Sequence, residues 1–268
     1  MEEPEYLYHY TNVESLALIL KNRTIRFRSL DQMDDLQEQQ TADLKNIGRF
    51  CFISSWTDSA DESIPMWNMY ASLNAGVRIK LCTNPFVGQD ITRELSDRLV
   101  FGGGYIGCYS YIPFETMIEQ GFLAKQAAKG DMLRKVEYTN DKNLLYPRIR
   151  STEDEGKHLY MGKLGVYKNT HWAFQNEWRY IFTTIPIKSA PIKTEELLAT
   201  WDEMAYDRDN ANPPFTYYDM TIHEEAFADM EITLSPKISA GNREIVSLLK
   251  KCYNKKVRIV ESDLINLI

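Results

Sequence analysis

Apolar positions recur along the chain at two spacings that never settle into a regular strand–helix alternation. Val13, Leu16, Ile19 and Leu20 fall at the three-and-four spacing of a helix that buries one face. Trp178, Tyr180 and Phe182 instead alternate with Glu177, Arg179 and Ile181, as in a strand with one apolar face. Such spacings predict strands at 6–10, 24–28, 50–56, 76–82, 104–110, 134–139, 177–184, 229–234 and 256–260. They predict helices at 12–21, 64–73, 113–128, 155–168, 193–205 and 240–253. Thr11 and Glu14 read as a capping box for the first helix, and Ser239 as the N-cap of the last. Pro65 falls in the first turn of the 64–73 helix. The mixture implies an α+β chain. The Asp207–Pro214 stretch reads as a loop or lid inside one domain spanning residues 1–268, and Gly102-Gly103-Gly104 as a flexible turn.

Composition narrows the functional classes. A chain of 268 residues that is 44% hydrophobic and 12% aromatic has ample material for a core. No apolar run approaches the roughly 18 residues of a membrane span, and the start is acidic, so a cytoplasmic location without membrane contact is expected. Cys51, Cys82, Cys108 and Cys252 are isolated and read as reduced core thiols, with no metal site expected. A net charge of −7 disfavours a broad phosphate-binding surface, although Lys125, Lys129, Arg134 and Lys135 form a local basic run. Neither a Walker lysine motif nor a G-x-G-x-x-G turn is present.

Four segments carry candidate chemistry. His9 ends the first strand beside a helix start, where it reads either as a core histidine bonded to a carbonyl or as a ligand contact. The apolar run Phe50–Ile53 ends in Ser54, Ser55 and Trp56, a polar strand end facing a cleft. In Met66-Trp67-Asn68-Met69-Tyr70-Ala71, Met66, Met69 and Tyr70 share one helix face and Trp67 and Ala71 another, so the helix reads either as core or as offering the Tyr70 ring to stack on an aromatic ligand. Glu177 projects from a strand opposite the buried aromatic face, where it pairs with Arg179 or serves as a site carboxylate.

Taken in order, L-Y-H-Y-T, F-C-F-I-S-S, M-W-N-M-Y-A followed by G-V-R-I-K-L, and E-W-R resemble a bacterial domain family of unknown function that looks like a distant member of the ADP-ribosyltransferase superfamily. The resemblance runs from residue 7 to about 183, and E-I-T-L-S-P-K at 231–237 is also similar. It implies an ADP-ribosyltransferase-like fold: two facing, mostly antiparallel sheet layers flanked by helices, with an NAD cleft between them. In the His-Tyr-Glu branch, His9 would hold a ribose hydroxyl, Tyr70 would stack on nicotinamide, and Glu177 would be the catalytic carboxylate beside the ribose. Tyr10, Thr11 and Ser54 join the expected cofactor-binding set, Arg28 is a candidate for the pyrophosphate, and Trp67 remains the alternative stacking ring. Gln175 stands where arginine-modifying relatives carry a second glutamate, so arginine is not the expected acceptor. NAD would be a substrate, with a protein, a nucleic acid or water as acceptor, in a toxin or phage-defence setting with an antitoxin-like partner. The alternative is a catalytically inactive module on the same fold that binds a nucleotide or a protein.

Overall fold

The computed structural model describes residues 3–100, 107–125, 131–154, 156–187, 192–193, 199 and 212–268. Among these, the alternating runs assemble into one ten-stranded mixed sheet flanked by helices, an α+β architecture. Its strands are β1 (Tyr6–Asn12), β2 (Thr24–Ser29), β3 (Cys51–Thr57), β4 (Gly76–Cys82), β5 (Phe122–Lys125), β6 (Leu133–Lys135), β7 (Glu177–Pro186), β8 (Tyr217–Thr221), β9 (Glu231–Leu234) and β10 (Arg258–Val260). The order along the sheet is β8-β2-β3-β1-β4-β9-β10, and β7 lies on the other edge of β3, carrying β5 and β6. Helices α1 (Val13–Asn22), α2 (Ile64–Met66) and α3 (Ala240–Tyr253) matter for the site, and α1 packs against α3. No helix among the described residues is long and apolar enough to cross a membrane.

The register shows where the sheet opens. β1 follows β4 through an unbroken antiparallel ladder from Tyr6↔Cys82 to Asn12↔Gly76, but it meets β3 only at Tyr8↔Thr57. β3 pairs along β7 from Cys51↔Thr183 to Thr57↔Glu177, whereas β2 covers its other edge only at Phe52 and Ile53. Between Ile53 and Thr57 no described strand covers that edge. The described strands thus form one continuous sheet, whose halves on either side of β1 and β3 are joined by a single bridge.

Strand pleating sorts the core. Phe52 and Phe182 sit opposite each other on β3 and β7 and stack at 5.2 Å within the main cluster, which also holds Leu7, Phe27, Trp178 and Tyr180. Their neighbours Cys51 and Ile53 point to the opposite face, into a second cluster with Ile149 and Leu164. Full burial of each such side chain contributes about 1.5–3 kcal/mol.

Several expectations are corrected. The cap of α1 is Asn12, whose side chain accepts from Ser15 N at 2.8 Å; Thr11 stays in the β1 ladder opposite Val77 and forms no capping box. The 113–128 helix stops at Gln120, because Gly121 takes a left-handed φ of 72° and the chain turns into β5. Residues 155–168 do not form a helix: a strand at Gly156–Leu159, a 3-10 turn at Met161–Lys163 and a strand at Tyr167–Asn169 replace it, with Gly165 at φ 72°. The 134–139 strand breaks at Val136, and Glu137–Thr139 pairs instead, in parallel, with Tyr167–Asn169. Of 104–110, only Tyr109–Ser110 is strand among the described residues. Cys252 is exposed rather than part of the core. The α3 boundaries and its Ser239 cap, which accepts from Asn242 N at 3.2 Å, are as expected. Gly102–Gly104, Lys129, most of the 193–205 helix and residues 207–211 of the expected loop lie outside the described residues.

Candidate functional site

The opening in the sheet holds two adjoining cavities. The larger, about 330 Å³, is lined by His9, Tyr10 and Thr11 of β1, by residues of α1, by Arg26 and Arg28 of β2, and by Ile53, Ser54 and Ser55 of β3. The smaller, about 100 Å³, is lined by Tyr8, His9, Tyr10, Asp34, Asp35, Tyr70, Lys168, Gln175, Glu177 and Arg179 among others. His9, Tyr10, Met33, Asp34, Ser55 and Tyr70 border both.

His9 reaches across the gap. Its Nδ1 lies 2.8 Å from the carbonyl oxygen of Ser55, which can only accept, so Nδ1 carries the proton. Burial lowers the ring's pKa, against the opposing pull of the Ser55 bond. The neutral ring thus keeps Nε2 as an acceptor for a ligand hydroxyl. His9 is thus bonded to a carbonyl, as the first of its two readings has it, and it also borders both cavities.

The turn carrying the two candidate rings is tightly built. Ser63 caps α2, accepting from Met66 N, and its own N–H donates to the Tyr10 hydroxyl at 3.0 Å. The chain then widens into a π-helical turn, Trp67–Ala71, a local geometry common at functional sites. Ser72 follows at φ 66°, and Gly76 opens β4 directly beneath, where an added Cβ would lie 2.4 Å from the Ser72 carbonyl oxygen. Only glycine lets the turn sit this close. Trp67 is fully buried, packs edge-on to Tyr10 at 4.9 Å, donates its indole N–H to Glu62 at 2.7 Å, and lines neither cavity. It is removed from the stacking role because its ring is spent inside the core. Tyr70 borders both cavities, and burial together with Asp34 and Glu177 raises its pKa.

Glu177 stands at the start of β7 in a buried square of charges. Its Oε1 accepts from Arg179 Nε at 2.6 Å, and its Oε2 from Arg179 Nη2 and Lys168 Nζ, each at 3.1 Å. Glu38 closes the square, with Oε2 2.6 Å from Arg179 Nη1 and Oε1 3.0 Å from Lys168 Nζ. The parallel pair described above delivers two of the supports: Lys168 itself, and Tyr138, whose hydroxyl accepts from Glu177 N at 2.8 Å. Burial pushes the Glu177 carboxyl up, but Arg179 and Lys168 outweigh it and hold the pKa at about 2. The expected Glu177–Arg179 ion pair is present, and Glu177 still lines the smaller cavity. Gln175 is locked at both ends, accepting from Lys168 Nζ at 2.8 Å and donating to the Tyr70 hydroxyl.

The remaining site residues divide by partnership. Tyr10, Thr11 and Ser54 border the larger cavity, with the Ser54 hydroxyl accepting from Trp56 Nε1 at 3.0 Å. Arg26 is clamped by Asp219 at 2.8 and 2.9 Å, whereas the Arg28 side chain is exposed on the cavity wall and makes no hydrogen bond or ion pair with a described residue. Of the basic run, Lys135 pairs with Asp58 at 3.3 Å. Sequence reasoning missed Asp34, Asp35, Glu38 and Lys168. Asp34, Asp35 and Glu38 lie in a segment for which no element is predicted, where only the density of acids in M-D-D-L-Q-E could have pointed to them, and Lys168 sits at the end of the expected 155–168 helix.

Because Gln175 donates to the Tyr70 hydroxyl, Tyr70→Phe is not silent: it strands a buried amide and is expected to lower stability by about 1–3 kcal/mol while keeping the ring. Tyr70→Ala should additionally weaken a stacked ligand by about 1 kcal/mol. Denaturant melts with calorimetric titration of NAD separate the two effects, and equal NAD affinity in both variants would take the ring out of binding.

Comparison of the chain with protein-family models, with curated proteins and with solved structures finds no match.

Proposed function

We propose that the chain has an ADP-ribosyltransferase-like fold, binds NAD across the two cavities, and either transfers ADP-ribose to a macromolecular acceptor or hydrolyses NAD. The observation that carries this reading is the convergence of His9, Tyr70 and Glu177, from three distant segments, on one small cavity that opens into a larger one bordered by Arg28. Each residue type suits its position. A neutral imidazole accepts a ribose hydroxyl, a flat ring holds the leaving nicotinamide, and the exposed Arg28 guanidinium suits a pyrophosphate. Departure of nicotinamide builds positive charge on the ribose, which a fixed carboxylate stabilises. Glu38 shares Arg179 and Lys168 with Glu177, so the square holds equal numbers of acids and bases and Glu177 is not swamped by cations.

One observation favours the inactive-module reading: both Glu177 oxygens are already engaged by Arg179 and Lys168. Incubation of the purified chain with NAD, alone and with cell lysate, followed by mass spectrometry of free nicotinamide and of mass-shifted products, tests both. Release above the no-protein control supports catalysis. Saturable NAD binding without release favours the module, and absence of both overturns the NAD reading.

A further inference from the structure

The C-terminal end of α3 gathers positive charge on a chain whose net charge is −7. From Ile245 to Arg258 stand Lys250, Lys251, Lys255, Lys256 and Arg258, with no aspartate or glutamate among them. Lys251, Lys255 and Lys256 are exposed and Lys250 is half-buried, and none of the four makes a side-chain hydrogen bond or ion pair with a described residue. Arg258 is held by Glu231. Of the other acids close in sequence or packing, Glu261 is paired with Arg243, and Glu225 and Asp229 lie near Cys82 at the end of β4. Lys250 and Lys251 occupy the last turn of α3, where the helix dipole favours cations. Lys255 and Lys256 lie beyond the helix, in the turn into β10, so the dipole does not account for them.

An aromatic ring stands amid this charge. Tyr253, the last residue of α3, is 40% exposed and falls between the two lysine pairs. Asn254 after it is buried and fixes the bend: its Nδ2 donates to the Phe227 carbonyl, and its Oδ1 accepts from Lys256 N and Val257 N, each at 3.2 Å. The lysines and the tyrosine are thus carried on a pinned turn. The Phe227 ring in turn lies under the Arg23 guanidinium at 5.1 Å, which extends the basic surface to the C-cap of α1. Asn22, next to Arg23, borders the larger cavity.

Unpaired cations around an exposed ring suit single-stranded nucleic acid, whose phosphates are neutralised by lysines and whose unstacked bases lie flat on aromatic side chains. An anionic bilayer fits less well. It would use the exposed Ile245 and Leu248 of α3, but Glu244 is exposed on the same face as Leu248 and would be carried onto the same anionic surface. We infer that the end of α3, from Lys250 to Lys256 with Tyr253 among the lysines and Arg23 at the border, is a docking surface for single-stranded nucleic acid. This surface does not depend on NAD binding, and its Arg23 border brings the strand to the α1 wall of the larger cavity.

The test is fluorescence anisotropy of labelled oligo(dT) and oligo(U), and of a duplex of equal length, over a range of salt concentrations. The parent should bind the single strands in preference to the duplex, and log Kd should rise with log salt at a slope of about 3, since each neutralised phosphate of a single strand contributes about 0.7. Changing Lys250, Lys251, Lys255 and Lys256 together to glutamine should weaken binding by more than about 10-fold and remove most of the slope. Tyr253→Ala should weaken it on the order of 10-fold and leave the slope unchanged. Removing equal charge at Lys45, Arg93, Lys142 and Lys163 should leave binding near parental. Absence of binding by the parent overturns the inference, as does a folded lysine variant that binds like the parent, or a control variant that loses as much. Equal affinity for duplex with no effect of Tyr253→Ala overturns it as well, and so does capture of phosphatidylserine vesicles without capture of the oligonucleotides, which would assign the surface to a membrane. Should the lysine variant fold poorly, acetylation of the parent with and without oligo(U), followed by mass spectrometry, carries the test: protection of the four lysines but not of Lys45 and Lys142 supports the inference, and uniform labelling overturns it.

Discussion

Replacing Glu177 with glutamine is expected to slow nicotinamide release on the order of 10²–10³-fold, the scale on which preorganised electrostatic groups act in catalysis. NAD affinity should change far less, since the shape of the cavity is kept. The same substitution unbalances the buried square, because Arg179 and Lys168 then face a single carboxylate, that of Glu38. Stability should therefore fall as well, and rates need to be compared well below the melting temperature of the variant. An acid titration gives an internal control. The Glu177 pKa lies at about 2, below its ordinary 4.5, so its contribution to stability is complete above about pH 4.5 and is lost as the pH falls through about 2. Glu177→Gln should lack that component of the acid slope. A variant that releases nicotinamide at the parental rate would remove Glu177 from the chemistry.

The second large effect is expected away from the cavity wall. Glu38→Gln should destabilise the chain by about 3–5 kcal/mol, the usual result of stripping one partner from a buried ion pair. Lys168→Met in the same chain should return most of that loss, because Glu177 and Arg179 then remain as a balanced pair at 2.6 Å. Urea denaturation of the two single variants and the double variant measures the coupling. Simple additivity of the two losses would show that the four charges do not act as one unit.

Much of the scaffold was legible in the sequence because it rests on periodicity. The alternation at Trp178, Tyr180 and Phe182 and the helical spacing from Val13 to Leu20 each imply one buried face, and the core uses those faces. What was not legible depends on partners distant in sequence. Whether Trp67 or Tyr70 faces the cleft is decided by Glu62, Tyr10 and Gln175, none of which the local M-W-N-M-Y-A pattern contains. The 155–168 segment follows its glycines and its pairing with Glu137–Thr139 rather than its own propensity. Glu38 lies where no element is expected and Lys168 at the end of a helix that does not form, and only the fold brings them to within 3.0 Å of each other.

The single Tyr8↔Thr57 bridge has a mechanical consequence. A β-sheet resists bending through its row of interstrand hydrogen bonds, and along the uncovered edge between Ile53 and Thr57 the only described cross-gap bond is the one from His9 to Ser55. The two half-sheets thus meet at a crease with few backbone hydrogen bonds, held together there by the apolar core they share. Any occupant that touches β1 on one side and β3 or β7 on the other acts as a splint across that crease, and its binding free energy is added to the cohesion of the whole fold.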